Sequence, residues 1–182
     1  MPRLRAHTLD TAPDASRQTL SNLGQRMGKI LNIHAGMAHA PVVIETYAAM
    51  SGAIREHGTF DARTREAIAL AVGNANGCDY CQSAHTRSAQ GAGLSEEQTI
   101  AIRADSITFD DKLAAIATVA RQISTNTGTV TDAAWQDALT AGWTDDQLAE
   151  TFAHVAVNLY TNYFNHFAGT ELDLPPAPEL TA

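Results

Sequence analysis

Long apolar stretches are missing from this sequence. No apolar run reaches the ~18 residues that a transmembrane helix needs, so we expect no membrane-spanning segment and no membrane partner. The N-terminal residues MPRLRAHTLDTAPDAS include two arginines but no apolar region after them, which is unlike a secretory signal. These two absences predict a cytoplasmic protein.

Positive charge and cysteine are also scarce. The 182 residues include 12 Lys and Arg against 20 Asp and Glu, and the formal net charge is -8. Because the basic residues form no run, we expect no nucleic-acid partner. Cysteine occurs only twice, as Cys78 and Cys81. In the cytosol a close cysteine pair is more often catalytic or metal-binding than a structural disulfide.

Alternating β-branched runs are missing as well, whereas helix start and stop signals recur along the chain. The sequence therefore predicts an all-α fold, a bundle of about eight helices in a single domain over residues 1–182. Residues 1–15 are expected to form an N-terminal arm, and the proline-rich residues 170–182 a tail. The predicted helices span about 16–29, 41–57, 62–75 and 78–91, and four more follow the capping residues Ser95, Asp110 or Asp111, Thr131 and Thr144.

Two helix junctions are similar to each other. GLSEEQ from Gly93 and GWTDDQ from Gly142 share a glycine, a large apolar residue, a hydroxyl residue, two acids and a glutamine. In each, a Ser or Thr precedes a Gln by three residues, which is the pattern of a capping box. Helix-junction chemistry alone accounts for this pattern, and a weak internal repeat is the alternative.

The stretch NGCDYCQSAH carries both cysteines, with a histidine one helical turn after the second. Asn76 and Gly77 break the preceding helix, so Cys78 falls near the N-terminus of the next one. Free backbone N–H groups and the helix dipole stabilise a thiolate at such a position. His85 lies on the same helical face as Cys81 and can carry a proton to or from a thiol.

Glu66 lies on the preceding helix, in the increasingly apolar segment TREAIALAVGNA. If the two helices pack antiparallel around the break, its carboxylate comes alongside His85. A carboxylate in such surroundings needs a partner, and His85, directly or through water, is the natural one. Glu66, His85 and a cysteine would then form a proton relay that ends at a nucleophile.

Two simpler interpretations of the cysteine pair stay open. The cysteines could be buried as small apolar side chains. They could also bind zinc together with His85 and a fourth ligand from His154 or His166, although no second ligand pair lies at short range. A thioredoxin-like site follows a β-strand, and no strand is readable before Cys78.

The last helix carries a winding stripe of polar residues at every fourth position: Glu150, His154, Asn158, Asn162 and His166. We interpret most of this stripe as polar groups that tie helices or subunits together. His154 and His166 are its candidates for a pocket over the dithiol. Tyr80, between the cysteines, is a third pocket candidate that either covers the dithiol or simply packs.

Aromatic residues cluster near the end of the same helix, at Tyr160, Tyr163, Phe164 and Phe167. Their helical spacing predicts packing inside the molecule, and a subunit interface is the alternative. A small helical domain with this much apolar surface gains by burying it on a copy of itself. We therefore expect a homo-oligomer.

The segment REAIALAVGNANGCDYCQSAHTRSAQGAGLS resembles the core of the carboxymuconolactone decarboxylase-like superfamily, and most closely its AhpD-like alkylhydroperoxidase branch. That branch carries Glu, eleven residues, Cys, two residues, Cys, three residues and His; Glu66, Cys78, Cys81 and His85 reproduce it at every spacing. The flanks RLRAHTLDTAPDAS, AHAPVVIETYAAM and NLYTNYFNHFAGTELDLP resemble the peroxidase-related subgroup. The resemblance covers nearly the whole chain.

The resemblance implies an all-helical dimer, trimer or hexamer whose redox-active dithiol reduces hydroperoxides. By this analogy Cys81 attacks the peroxide and becomes a sulfenic acid. Cys78 is its proton donor and resolving partner and closes a Cys78–Cys81 disulfide, while His85 and Glu66 carry the protons. No cofactor is implied beyond that disulfide. An external dithiol reductant of the lipoyl or thioredoxin type would restore the thiols.

One position departs from the family pattern. The type enzyme of the branch has a histidine between its cysteines, where this chain has Asp79 and Tyr80. A carboxylate beside a thiolate opposes its ionisation. Two alternatives to a peroxidase therefore stay open: a lyase or isomerase acting on a small lactone or acid, and a non-enzymatic oligomer that responds to oxidation or binds zinc.

Overall fold

The computed structural model describes residues 1–180, so residues 181 and 182 of the predicted tail lie outside the described part. Within residues 1–180 the chain forms nine α-helices and no β-strand, which confirms the predicted all-α class. The helices are α1 (Asp14–Met27), α2 (Asn32–Met37), α3 (Pro41–His57), α4 (Ala62–Ala75), α5 (Asp79–Gly91), α6 (Glu96–Arg103), α7 (Asp111–Thr125), α8 (Asp132–Thr140) and α9 (Asp145–Ala168).

Side-chain caps set most of the helix starts. The Asp61 carboxylate accepts the Thr64 N–H before α4, and Asp110 and Thr131 cap α7 and α8 in the same way. Both predicted capping boxes are present, at the starts of α6 and α9. The first helix ends at Met27 rather than at the predicted Lys29, because Gly28 adopts a left-handed conformation with φ 75°.

The short helix α2 has no counterpart among the predicted helices. It has six residues, and its N-cap Leu31 offers no side chain that could accept a hydrogen bond. Isolated helices of this length are unstable in water, so their formation depends on tertiary contacts. Five of the six residues of α2 are buried. This burial stabilises α2 although the sequence contains no capping signal for it.

Two groups of buried apolar side chains form the core. The first cluster joins α4, α6, α7, α8 and α9 and includes Ile68, Leu70, Ile116 and Val155. The second cluster joins α1, α2, α3 and α5 and includes Leu20, Met37, Ile44, Cys78 and Cys81. The cysteines are therefore part of the packed interior and not of the surface.

Helix α4 connects the two halves of the molecule. Its residues from Ala67 to Gly73 are all buried, and it contacts α5, α6, α7 and α9. The segment between α4 and α5 is short, so the two helices pack side by side around Asn76 and Gly77, as the sequence predicts. This pairing positions the residues of the candidate site.

The two chain ends lie against the helices. The backbone N–H of Arg3 donates to the Ala168 carbonyl at 2.7 Å, which ties the N-terminal arm to the end of α9. Residues 170–180 contain no helix, and the Ala177 N–H donates to the Ser83 hydroxyl on α5 at 3.0 Å. Among residues 1–180, no helix is both long and apolar enough to cross a membrane.

Candidate active site

The break between α4 and α5 brings the first cysteine to a helix start. Gly77 has φ +61°, a conformation that glycine adopts without strain, and it turns the chain between the two helices. Cys78 is the N-cap of α5, where its sulfur accepts the backbone N–H of Cys81 at 3.3 Å. Both cysteines are free thiols and are buried, with exposures of 2% and 3%.

The two cysteine thiols are hydrogen-bonded to each other, so that the ionisation of one disfavours the ionisation of the other. The Cys81 thiol beside it is the main cause that lowers the pKa of Cys78 to about 7, with help from the Cys81 backbone N–H. Donation to Cys78, together with burial, raises the pKa of Cys81 above its ordinary value. The first ionisation therefore falls on Cys78, and the nucleophilic role that the resemblance gives to Cys81 requires that its proton first pass to Cys78.

Glu66 and His85 form the predicted pair. The Nδ1 atom of His85 on α5 lies 2.8 Å from a carboxylate oxygen of Glu66 on α4. Both side chains are mostly buried, with exposures of 29% and 20%. Burial alone would lower the pKa of His85, but the adjacent carboxylate outweighs it and raises that pKa above the ordinary value. His85 is therefore poised to hold a proton.

A cavity of about 340 Å³ adjoins this pair. Glu66, His85 and His154 contribute to its lining, together with Tyr47, Ser51, Ile54, Arg55, Arg65, Ala69, Val157, Asn158 and Thr161. Tyr47 also packs against the second cluster, which contains the two cysteines. Neither cysteine lines the cavity, and Tyr47 connects it to the cluster in which the cysteines are buried.

Only one of the three pocket candidates lies in this cavity. His154 lines it, but Tyr80 and His166 do not. The Tyr80 hydroxyl donates to the Asp173 carboxylate of the tail at 2.6 Å, so its ring packs in the second cluster. The Nε2 atom of His166 lies 3.0 Å from the Asn76 carbonyl oxygen, which turns this imidazole towards the α4–α5 break. Tyr80 and His166 therefore lie outside this cavity, and for Tyr80 the contacts favour the packing alternative.

The polar stripe of α9 mainly ties helices together, as the sequence predicts. Glu150 accepts the backbone N–H groups of Thr59 and Phe60 before α4, and it also contacts His154 at 3.1 Å. Asn158 donates to the His154 carbonyl within the helix. The stripe thus anchors α9 to the start of α4, next to the cavity.

Asn165 is a site residue that the sequence reasoning missed. Its side-chain Nδ2 atom lies 3.2 Å from the Cys81 sulfur and 3.7 Å from the Cys78 sulfur. It stands outside the every-fourth-residue stripe, although Asn158, Asn162 and Asn165 follow one another at steps of four and three along one helical face. That spacing is the signal that could have revealed it.

The zinc interpretation finds no support in the arrangement of side chains. Over residues 1–180, no group of three or more His, Cys, Asp or Glu residues is placed to hold a metal ion. The nearest candidates for the fourth ligand point elsewhere, because His154 pairs with Glu150 and His166 with the Asn76 carbonyl.

Comparison with known sequences identifies a family in the centre of the chain. Residues 41–122 match the sequence model of the carboxymuconolactone decarboxylase family. An uncharacterized protein of Haemophilus influenzae is 43% identical over 49 residues, a match that spans 27% of this chain and 43% of that protein. The matching sequence thus covers less than half of that relative.

Solved structures match over almost the whole chain. The alkylhydroperoxidase AhpD core of a peroxidase-related protein from Ralstonia eutropha JMP134 superimposes with a TM-score of 0.84, at 20% identity, over 94% of this chain and 92% of that one. A peroxidase-related protein from Silicibacter sp. TM1040 gives 0.75, at 17% identity, over 94% and 91%. A cysteine-to-alanine variant of the debrominase Bmp8, in complex with 2,3,4-tribromopyrrole, gives 0.78 at 16% identity, over 93% and 91%.

The family match over residues 41–122 and the AhpD-like fold of the solved structures agree with the resemblance recognised from the sequence. The solved structures establish the fold, and one of them is a debrominase. Because one fold supports several reactions, the reaction of this protein must be argued from its own site.

Proposed function

We propose that this protein is a thiol-dependent peroxidase that reduces hydroperoxides with the Cys78–Cys81 pair. The observation that supports this most is the conjunction of two free thiols at the start of α5 with the Glu66–His85 pair on the same two helices. A lowered thiol pKa beside a proton-carrying histidine is the usual arrangement of a reactive cysteine.

In the first chemical step the Cys81 proton passes to Cys78, and the Cys81 thiolate attacks one peroxide oxygen. A sulfur–oxygen bond forms and the oxygen–oxygen bond breaks, which leaves a sulfenic acid and an alkoxide. The Cys78 thiol returns its proton to the alkoxide, and an alcohol departs. The cavity beside Tyr47 is the approach that we assign to the hydroperoxide.

In the second step the Cys78 thiolate attacks the Cys81 sulfur. The disulfide bond forms as the sulfur–oxygen bond breaks, and the departing hydroxide takes a proton from the His85 imidazolium to give water. Two thiols have lost two electrons, and the hydroperoxide has gained them. A cytoplasmic dithiol of the lipoyl or thioredoxin type would then reduce the disulfide by exchange.

The test is peroxide consumption under excess dithiol reductant, with the wild type, Cys81→Ser and Cys78→Ser side by side. Ser88→Ala is the matched control, since Ser88 is an exposed hydroxyl residue on α5. We expect turnover in the wild type and the control and none in either cysteine variant. Conversion of a small lactone or acid that survives both cysteine replacements would instead identify a lyase or isomerase. An oligomeric state that changes on oxidation without turnover would identify a redox-responsive protein.

A further inference from the structure

Two asparagine side chains of α9 lie next to the dithiol. Asn165 directs Nδ2 at both sulfurs and lies closer to Cys81, at 3.2 Å against 3.7 Å for Cys78. Asn162 lies one turn before Asn165, and its amide favours the charged form of Cys81, which partly offsets the rise in the pKa of that thiol caused by Cys78 and by burial. Asn162 is fully buried and Asn165 is 5% exposed.

A hydrogen bond from Asn76 fixes the orientation of the Asn162 side chain. Asn76, the C-cap of α4, donates its side-chain N–H groups to the Val72 carbonyl, to Ser124 and, at 3.1 Å, to Oδ1 of Asn162. Because Asn162 Oδ1 accepts this bond, its Nδ2 donor must point the other way. Within residues 1–180 this Nδ2 atom has no hydrogen-bond partner.

A buried N–H group without an acceptor is costly, and its cost disappears when a negatively charged acceptor forms beside it. The Asn162 donor thus gains a partner when the Cys81 sulfur becomes negative. The cap of α5 acts in the opposite sense, because the Cys81 backbone N–H favours charge on Cys78. The two ends of the dithiol are therefore stabilised by different groups.

We propose that Asn162 and Asn165 form a donor pair that stabilises negative charge on the Cys81 sulfur and so enables Cys81 to act as the nucleophile. The pair would also donate to the oxygen of a sulfenate at Cys81. This role deepens the proposed peroxidase function and rests on it for the assignment of Cys81 as the nucleophile. It does not depend on turnover, because the charge on a thiol can be measured in the resting protein.

Four other titratable groups lie near the sulfurs, and the asparagine substitutions leave their side chains in place. Tyr47 on α3 and Tyr80 on α5 both have pKa values above the ordinary one, because burial disfavours their charged forms. His85 on α5, paired with Glu66 on α4, and His166 on α9 favour charge at Cys78 when they are protonated. A difference between asparagine variants therefore reports the amides.

The experiment compares the wild type with Asn165→Leu and Asn165→Asp, both close in size to asparagine. The variants are treated with iodoacetamide from about pH 6 to about pH 10, and mass spectrometry counts the modification at each cysteine. Ultraviolet absorbance of the thiolate is followed in parallel, since it needs no reagent access. Asn22→Leu, at an exposed asparagine of α1, is the control.

We expect Cys81 alkylation at about pH 6 to slow about tenfold in Asn165→Leu, and further in Asn165→Asp, where a carboxylate repels the thiolate. The slowing should persist to about pH 10, because the raised pKa of Cys81 means that its thiolate still needs the donors there, and it should exceed the slowing at Cys78. Asn162→Leu should show the same pattern. A slowing of equal size at both cysteines, or a thiolate titration identical to that of the wild type, would overturn the proposal. If a Leu variant does not fold, Asn165→Asp, which retains the Oδ1 atom, decides it by the same criterion.

Discussion

Among the individual residues of the site, the two thiols and His85 have pKa values that their surroundings shift in different directions. The hydrogen bond between the two thiols separates them, so that the pKa of Cys78 is about 7 while that of Cys81 is raised. The adjacent Glu66 carboxylate raises the pKa of His85 against the effect of burial. Groups whose surroundings push their pKa values apart are the usual means by which a site separates acid and base roles.

Removing the Glu66 charge should weaken the proton supply. In Glu66→Gln the carboxylate that raises the pKa of His85 is lost, so the pKa falls and less His85 is protonated at any pH near neutrality. We expect the rate of disulfide formation from the Cys81 sulfenic acid to fall about tenfold or more, with a larger loss at higher pH. The measurement is the pH dependence of that rate in a single turnover, with the His85 titration followed by NMR.

Glu56→Gln provides the matched control for this change. Glu56 lies 3.9 Å from His57, and both side chains are 75% exposed, so the contact is of the same type but is surrounded by water. Its replacement should leave the rate of disulfide formation unchanged. An unchanged His85 titration in Glu66→Gln would contradict the electrostatic role given to Glu66.

The sequence predicted the residues of the site that are close along the chain. Cys78, Cys81 and His85 share one helix, and Glu66 lies on the helix before it, so helical spacing and one turn suffice to bring them together. Asn165 comes more than eighty residues later. Its place over the sulfurs depends on how α9 packs against α4 and α5, which no local pattern specifies.

At the element scale, the start of α5 depends on the turn before it. Gly77 has φ +61°, and no neighbouring atom lies within 4 Å of the position that a Cβ atom would take. Substitution there meets backbone strain without a steric clash. The turn lets the Cys78 N–H donate to the Gly73 carbonyl at 2.9 Å while its side chain caps α5.

Gly77→Ala should therefore destabilise the protein by about 1 kcal/mol, the cost of a left-handed conformation for a residue with a Cβ atom. Urea unfolding followed by circular dichroism measures it. Gly91→Ala, at the end of α5 in open space and without positive φ, should be neutral or stabilising because alanine favours the helix. Equal effects of the two substitutions would exclude strain at Gly77.

Helices with strong local signals were predicted well, and α2 was not. The capping boxes at Ser95 and Thr144 and the caps at Asp61 and Thr131 are written in the sequence as a hydroxyl or acid before a helical pattern. The residues of α2 carry no such signal and gain their stability from burial in the second cluster.

At the scale of the whole molecule, α2 gives the fold a sensitivity to acid. His34 is 4% exposed, and burial lowers its pKa to about 4 from the ordinary value of 6.5. Above pH 6.5 the imidazole is neutral in both the folded and unfolded chain. As the pH falls towards 4, only the unfolded chain takes up this proton, so the free energy of unfolding decreases.

The difference between the pKa of His34 in the folded chain and in the unfolded chain lowers the free energy of unfolding by about 3 kcal/mol at acidic pH. We expect the wild type to lose stability between about pH 6.5 and about pH 4, in urea unfolding measured at several pH values. In His34→Gln that loss should be smaller by this amount, and in His57→Gln, at an exposed histidine, it should be unchanged. If His34→Gln loses as much stability as the wild type, His34 is not the cause.

The outer face of α9 suits the homo-oligomer that the sequence predicts. Of the four aromatic residues of the cluster, Tyr160 donates to the Val43 carbonyl and Phe164 packs against the second cluster, whereas Tyr163 and Phe167 are 56% and 66% exposed. Phe152 on the same helix is 60% exposed. Large exposed apolar groups of this kind are common at interfaces between subunits.

If this face joins two copies of the chain, the double substitution Tyr163→Glu with Phe167→Glu should dissociate the oligomer. Light scattering after size-exclusion chromatography gives the mass. Met27→Glu, at an exposed methionine of α1, is the control and should leave the mass unchanged. A wild type that is monomeric at every concentration would contradict the predicted oligomer, and an unaffected double variant would place the interface elsewhere.

The central claim is that peroxide oxidises Cys81 first and that Cys78 resolves the product. The most direct test is one equivalent of hydroperoxide added to the reduced wild type, Cys78→Ser and Cys81→Ser, followed by thiol counting and mass spectrometry. The mechanism predicts a Cys78–Cys81 disulfide in the wild type and an unmodified Cys78 in Cys81→Ser. In Cys78→Ser it predicts a sulfenic acid at Cys81 that forms more slowly, because no Cys78 thiolate takes up the Cys81 proton. Thiols that do not react with peroxide, or a sulfenic acid at Cys78 in Cys81→Ser, would contradict it.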